Sequence, residues 1–281
     1  MTDLAYVNGE ITPLEEAKIS IMDRGFLFGD GVYEVLLSYH GRLWAVERHN
    51  RRLKRSLREI NIDNFDMAEA DEATAQLLAQ SGLSNALIYL QVTRGQPPKR
   101  AHTYPPNLKP TLVVTVSPFT PPSEEARNKG AALLSCEDLR WRRCDIKSLN
   151  LLANCMARQQ ALEAGCKEAI LVRDGTVTEC GASSPFMVKD GVIVISPLAP
   201  EILPSVTREI VIESIEEMGL PILFESRPLE DYCQADEVFL AGTTTEVLPI
   251  CKIDEHPIPV VGEISRRISD DFQQRLREHR D

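Results

Sequence analysis

Long apolar runs are missing from this 281-residue chain. A membrane span needs roughly 20 apolar residues in sequence, so no membrane protein is expected. Excess positive charge is missing as well: 31 Lys and Arg stand against 42 Asp and Glu, a net charge of −11. Nucleic acids and anionic membranes draw basic surfaces, and neither is expected as a partner. Histidine is scarce, at five, and shows no ligand spacing, so a protein-bound metal is not expected. The seven cysteines are odd in number, scattered, and without a Cys-x-x-Cys pair. They read as reduced thiols in a cytoplasm rather than a disulfide framework. The Met1-Thr-Asp-Leu start lacks a basic and then apolar signal segment. No internal repeat or low-complexity stretch is present.

The hydrophobic fraction of 43% supports a sizeable core. The length suits one large or two medium domains. Ser117-Pro-Phe-Thr-Pro-Pro-Ser123 carries three prolines in seven residues and is the best linker candidate. It suggests a smaller α/β domain over 1–117, a linker over 118–123 and a larger domain over 124–281 that carries Lys147. In the first part, 5–11 reads as a hairpin about Asn8-Gly9, 13–24 as a loop, and 32–39 as a strand returning over 42–46. Helices are expected over 47–60 and 66–81, and strands over 86–93 and 111–116. In the second, a helix over 124–129 precedes a strand over 131–139. A long amphipathic helix is expected from Ser148, ending at Gly165. Strands at 169–173, 176–179, 186–189, 192–195 and 237–240 follow, with helices over 206–218 and at the C-terminus.

Several residues carry chemistry in this frame. Arg24-Gly-Phe-Leu-Phe-Gly-Asp-Gly31 is glycine-rich, but its spacing fits neither a Walker loop nor a dinucleotide fingerprint. Tyr33 and Val35 share one strand face. The 47–60 helix is strongly basic, and Arg52, beside Leu53, is placed to turn inward toward an anion. Arg100 and His102, two residues apart on a proline-rich basic loop, suit an anion grip. Lys147 sits between Ile146 and Leu149, where the chain turns inward. A buried lysine sheds its proton and attacks carbonyls. Glu179 ends a strand before the small residues Cys180, Gly181, Ala182 and Ser183, which let a ring approach. Thr207 opens a helix, and Thr243 and Thr244 follow a buried strand through a Gly-containing turn. Hydroxyls and helix-start N–H groups hold phosphate. A solvated lysine, a surface glutamate and an ordinary N-cap threonine are the commoner readings of Lys147, Glu179 and Thr207 taken singly.

Together these motifs resemble a known family. Asp145-Ile-Lys-Ser-Leu-Asn-Leu-Leu152, Glu168-Ala-Ile-Leu, Thr178-Glu179, Leu203 to Arg208 and Thr243 to Glu246 are similar in order to fold type IV pyridoxal-phosphate (class IV) aminotransferases. That group includes branched-chain aminotransferases, D-amino acid aminotransferases and aminodeoxychorismate lyases. Gln91-Val-Thr-Arg-Gly95, Arg100-Ala-His102 and Arg140-Trp-Arg-Arg-Cys-Asp-Ile-Lys147 resemble the D-amino acid (D-alanine) branch. The resemblance implies a two-domain α/β (α+β) fold, smaller domain first. It implies pyridoxal 5'-phosphate as cofactor, with Lys147 as its Schiff-base lysine and proton shuttle. Glu179 would partner the pyridine nitrogen. Arg52, Thr207, Thr243 and Thr244 would hold the phosphate, with Val206 also at the cofactor and Leu203 on the ring. Tyr33, Val35, Arg100 and His102 would meet the substrate, with Arg100 and His102 supplied by the neighbouring subunit of a homodimer with a shared active site. The implied reaction transfers an amino group from a D-amino acid to a 2-keto acid such as pyruvate or 2-oxoglutarate. Alternatives are a branched-chain L-aminotransferase, an aminodeoxychorismate lyase, and a non-catalytic protein that holds a phosphorylated ligand. Two departures from the pattern stand out: Cys180-Gly-Ala-Ser-Ser-Pro185 replaces a serine- and glycine-rich run, and Ser205 replaces a glycine.

Overall fold

A computed structural model describes residues 3–259 and 262–281. The chain divides into two compact units. The first comprises Met1–Thr120 together with Ile146–Asn150, and the second Pro121–Asp145 together with Leu151–Asp281.

The first unit is a six-stranded antiparallel sheet in the order β2-β1-β6-β5-β3-β4. Its strands are β1 (Leu4–Val7), β2 (Glu10–Pro13), β3 (Gly31–Tyr39), β4 (Arg42–Leu43), β5 (Ala86–Thr93) and β6 (Thr111–Pro118). Asn8 and Gly9 both have positive φ, as a two-residue hairpin turn requires. The expected return strand over 42–46 is shorter. Ala45 takes the left-handed conformation and α2 (Val46–Glu59) begins at once. The region read as a loop over 13–24 holds a 3-10 turn at Leu14–Glu16 and leads into a short helix, α1 (Arg24–Phe28). Helix α3 (Met67–Ser81) is capped by the Asp66 side chain and closed by left-handed Gly82.

Helix α2 buries His49, Arg52, Leu53, Ser56 and Leu57. These lie at helical spacing on one face. The remaining basic residues ride on the other side, so a helix that reads as almost wholly charged still supplies a core stripe. That core joins Val32, Leu36, Leu53, Leu57, Ile88, Leu90, Val92 and Val114.

The second unit is built on a nine-stranded mixed sheet, β12-β11-β10-β13-β14-β7-β8-β9, with β15 added to β14. Its strands are β7 (Ala131–Glu137), β8 (Glu168–Arg173), β9 (Thr176–Cys180), β10 (Ser184–Lys189), β11 (Val192–Ile195), β12 (Ile222–Phe224), β13 (Glu237–Gly242), β14 (Glu246–Ile253) and β15 (His256–Pro257). Its helices are α4 (Glu124–Lys129), α5 (Leu152–Glu163), α6 (Val206–Glu217), α7 (Leu229–Cys233) and α8 (Glu263–Glu278). Central β13 is buried throughout and β10 nearly so, which explains their near-continuous apolar sequence. Their register partners Phe186 and Phe239 stack with ring centroids 4.8 Å apart. Strands β12 and β14 and helix α7 have no periodic signal strong enough to read in advance.

The helix expected from Ser148 begins only at Leu152. The reason is a competing set of backbone bonds. Residues 146–149 lie against β3 instead: Tyr33 N–H donates to Lys147 O (3.0 Å), Leu149 N–H donates to Gly31 O (3.1 Å), and Val32 and Ser148 form an antiparallel bridge. Lys147 thus groups with the first unit rather than with 124–281.

Gly95, two residues past the end of β5, has a φ of +93°, and a Cβ there would lie 1.9 Å from Lys109 O. Backbone on both sides leaves no room to adjust. Gly95→Ala is expected to cost about 3 kcal/mol, read as a lowered midpoint in chemical denaturation. An unchanged midpoint would show that the loop end relaxes freely.

Candidate active site

In the first unit the chemistry gathers on two faces of β3. Val32, Glu34 and Leu36 face the core and are buried, while Tyr33 and Val35 are half-buried on the opposite face. Cross-strand pairing sets Gln91 opposite Tyr33 and Tyr89 opposite Val35. The rings of Tyr33 and Tyr89 stack at 5.6 Å, and Tyr89 Oη donates to Gln91 Oε1 (2.7 Å). Burial pushes the Tyr89 phenol up to about 12, so it stays a neutral donor at working pH. Lys147 Nζ stands 4.2 Å from the Tyr33 ring centroid, a cation–π contact. Its backbone N–H donates to the buried Ser56 Oγ (3.2 Å). The lysine is therefore fixed at its main chain while its amine rests on an aromatic face.

On the inner face, Glu34 is 1% exposed. It accepts from Arg52 Nε and Nη2 (both 2.7 Å) and contacts His49 Nδ1 (2.8 Å). Burial alone would raise the Glu34 carboxyl, but the Arg52 charge and hydrogen bonds outweigh it and hold it well below the usual carboxylate range. Burial holds His49 below its ordinary value despite the neighbouring acid. Arg52, expected as an anion-binding cation, is thus locked in a two-bond pair before any ligand is considered.

In the second unit Glu179 is the penultimate residue of β9, buried. The Arg140 guanidinium contacts its Oε1, and Leu203 N–H donates to its Oε2 (3.2 Å). Arg140 also donates to both oxygens of Asp138 (2.8 and 2.7 Å), which in turn accepts from Thr178 Oγ1 (2.8 Å) and pairs with Arg173 (3.0 Å). Burial pushes the Glu179 carboxyl up, and Arg140 works against that rise. For Asp138 the balance reverses: burial would raise it, but bonding to Arg140 holds it below the usual range. Glu179 is an anchored carboxylate with lone pairs left over.

Ser205 caps α6, its Oγ accepting from Arg208 N–H, so Val206 and Thr207 occupy the first positions of the helix. Both are buried. The departure from glycine at Ser205 is therefore a cap rather than a loss. Thr243 and Thr244 lie in the turn between β13 and β14, Thr243 half-buried and Thr244 exposed. Among the described residues, no hydrogen bond occupies the hydroxyls of Thr207, Thr243 or Thr244. The Cys180–Pro185 turn is held by buried Glu168, which accepts from Ala182 N–H and Ser183 Oγ. Cys180 is buried, and burial pushes its thiol well above the ordinary range, so it is no nucleophile. Arg100 and His102 both stand against the Phe28 ring in the first unit, at 4.8 and 5.5 Å.

Sequence reasoning missed Glu34, His49, Asp138 and any role for Arg140. Signals existed for two of them. Glu34 is an acid on the apolar face of a strand, and His49 sits on the apolar stripe of α2. Removing one partner of a buried ion pair strands the other. Glu34→Gln is expected to lower stability by about 3–5 kcal/mol at pH 7. A depressed carboxyl stabilises the fold above its unfolded pKa, about 4.3, and the gain fades as pH falls below that. The gap between wild type and variant in denaturation should therefore hold from pH 7 to 5 and narrow below pH 4.

The class IV amino-transferase family model matches residues 31–253. D-alanine aminotransferase of Staphylococcus epidermidis is 38% identical over 278 residues, 98% of each chain. That of Bacillus licheniformis is 41% identical over 252 residues, 89% of this chain and 88% of its own. A branched-chain amino acid aminotransferase of T.th., solved with pyridoxamine 5'-phosphate, superposes with a TM-score of 0.90 at 26% identity, covering 100% of this chain and 96% of that one. The branched-chain aminotransferase of Thermoproteus uzoniensis, at 24% identity, 0.88, and coverage of 100% and 97%, shares the fold. The expected fold type IV architecture is the architecture observed. The chain belongs to the class IV aminotransferases, enzymes that work with pyridoxal 5'-phosphate.

Proposed function

We propose that this enzyme moves an amino group between a D-amino acid of the D-alanine type and a 2-keto acid such as pyruvate or 2-oxoglutarate. The observation that carries this is the near full-length likeness to D-alanine aminotransferases. The residues fit the cofactor. A buried acid keeps unused lone pairs at Glu179, a capped helix start carries Thr207, and the threonine turn offers hydroxyls that have no hydrogen-bond partner among the described residues. Bound pyridoxal 5'-phosphate supplies an electron sink for the pair released when the substrate Cα loses its proton.

The chain's residues do the rest in this reading. Lys147 anchors the cofactor through Nζ and carries the proton from Cα, its position set by the Ser56 and Tyr33 contacts. Glu179 keeps a proton on the pyridine nitrogen, and Arg140 holds Glu179 in place and opposes the rise that burial causes. The α6 start at Val206 and Thr207, with Thr243 and Thr244, receives the phosphate. Arg52 adds its positive charge, and Leu203 packs on the ring. Tyr33 and Val35 line the substrate side. Arg100 and His102 grip the substrate carboxylate, in a homodimer where each subunit serves its neighbour. The seven free cysteines support a cytoplasmic setting. Stereochemical preference comes from how the carboxylate is held.

Purified enzyme should be yellow, and borohydride should fix the cofactor onto Lys147; Lys147→Ala should lose both colour and turnover. D-alanine should be converted and L-leucine should not. Preference for L-leucine would instead support a branched-chain enzyme, the activity named for a solved structure of the same fold at 26% identity. Pyruvate release without an amino acceptor would point to a lyase. Arg100→Ala should raise KM for D-alanine about 10- to 100-fold, the scale of lost bonds to a charged group, with cofactor retained. An unchanged KM would remove the carboxylate grip.

A further inference from the structure

Arg100 and His102 sit on a connection between β5 and β6 that contains neither helix nor strand. Exposed connections of this kind are mobile unless something ties them down. Asn64 Nδ2 donates to Leu108 O near the end of this connection (2.9 Å), while around His102 the hydrogen bonds to the backbone of 99–104, among the described residues, all come from one side chain, Arg24. Its Nη1 donates to Ala101 O (2.7 Å) and more weakly to Thr103 O (3.4 Å), and its Nη2 donates to His102 O (2.9 Å). Three successive carbonyls around His102 thus converge on a single guanidinium.

Arg24 is itself well fixed. It is 4% exposed, and its Nε donates to Asp30 Oδ2 (2.6 Å). Asp30 also takes two bonds from Arg94 (2.8 and 2.9 Å), and Arg94 donates on to Ile60 O and Asn61 O. The Tyr104 ring closes over Arg94 at 3.8 Å and Arg24 at 5.2 Å. Phe28 lies one turn along α1 from Arg24, hence on the same side. Its ring touches Arg24 (4.8 Å), Arg100 (4.8 Å) and His102 (5.5 Å). Asp23 caps this short helix, and Gly29 in the left-handed conformation ends it. The glycine-rich stretch that fits no phosphate motif therefore builds a platform for Arg24 and Phe28.

We propose that Arg24 is a positioning residue for the substrate-carboxylate grip: it sets where Arg100 and His102 stand, through the carbonyls of 101–103, while Phe28 holds their side chains. This rests on the reading of Arg100 and His102 given above. A lysine keeps the charge but not the fork that spans three acceptors.

The test uses the purified holoenzyme and Arg24→Lys. Trypsin can cut after Lys99 and Arg100, both exposed on the single chain, once the loop opens, and mass spectrometry can time those cuts against sites elsewhere. The variant should be cut there about ten times faster, with other sites and Tm unchanged, as expected when local opening becomes easier. KM for D-alanine should rise about tenfold, with kcat and cofactor absorbance nearly unchanged. Should Arg24→Lys fail to fold, Phe28→Leu should show the same pattern to a smaller degree. Cutting at the wild-type rate, or acceleration of all sites together, would overturn the proposal. If the loop loosens but Arg100→Ala leaves KM unchanged, the positioning role stands and the carboxylate reading falls instead.

Discussion

A strip of backbone paired with β3 decides where the Lys147 amine of this enzyme can be. Residues 146–149 exchange main-chain bonds with Gly31 and Tyr33, and Ser56 on α2 receives the Lys147 N–H. Main-chain pairing fixes a side chain's origin far more firmly than packing of the side chain alone, because both φ/ψ neighbours are held. The lysine therefore emerges on the face of β3 that carries Tyr33 and Val35. The face behind it is filled by Glu34 with His49 and Arg52. The same strand thus serves two chemistries, split by its alternation.

The buried charges follow a common logic in both units. Glu34 with Arg52, and Asp138 and Glu179 with Arg140, each set carboxylates against a guanidinium that bonds through more than one nitrogen. Such pairs add little net stability compared with apolar packing, but their geometry is unforgiving. They hold the paired groups at defined positions. At Glu34 and Asp138 the guanidinium outweighs burial, whereas at Glu179 burial prevails and Arg140 only opposes it.

Much of the fold was legible in the sequence. Strand β5 and helix α4 fall within the residues expected, because alternation over Ala86–Thr93 and the Ser123 cap are local signals. The start of α5 was not legible. Residues 148–151 are compatible with helix, but the distant partner β3 takes up the backbone of Ser148 and Leu149 instead, and the helix waits until Leu152. Propensity yields to tertiary pairing there. At the site, Lys147, Glu179 and the threonines stood out by type and order. Arg52 stood out as well, but not the acid that holds it, because Glu34 and His49 are far apart in sequence and meet only once α2 packs on β3. Arg24 was hidden for a similar reason, since its partners are carbonyls, and any sequence supplies carbonyls.

The division of the chain has a consequence for how the protein is assembled. Between Thr120 and Leu151 the polypeptide leaves the first unit, returns for Ile146–Asn150 and leaves again. Ile146, at 4% exposure, belongs to the first unit's core. During synthesis the amino-terminal sheet emerges whole yet unfinished, with a seam open until thirty further residues, roughly, have followed at several per second. A severed amino-terminal half would carry that same gap, and a short peptide spanning 146–150 is what it would need to close it.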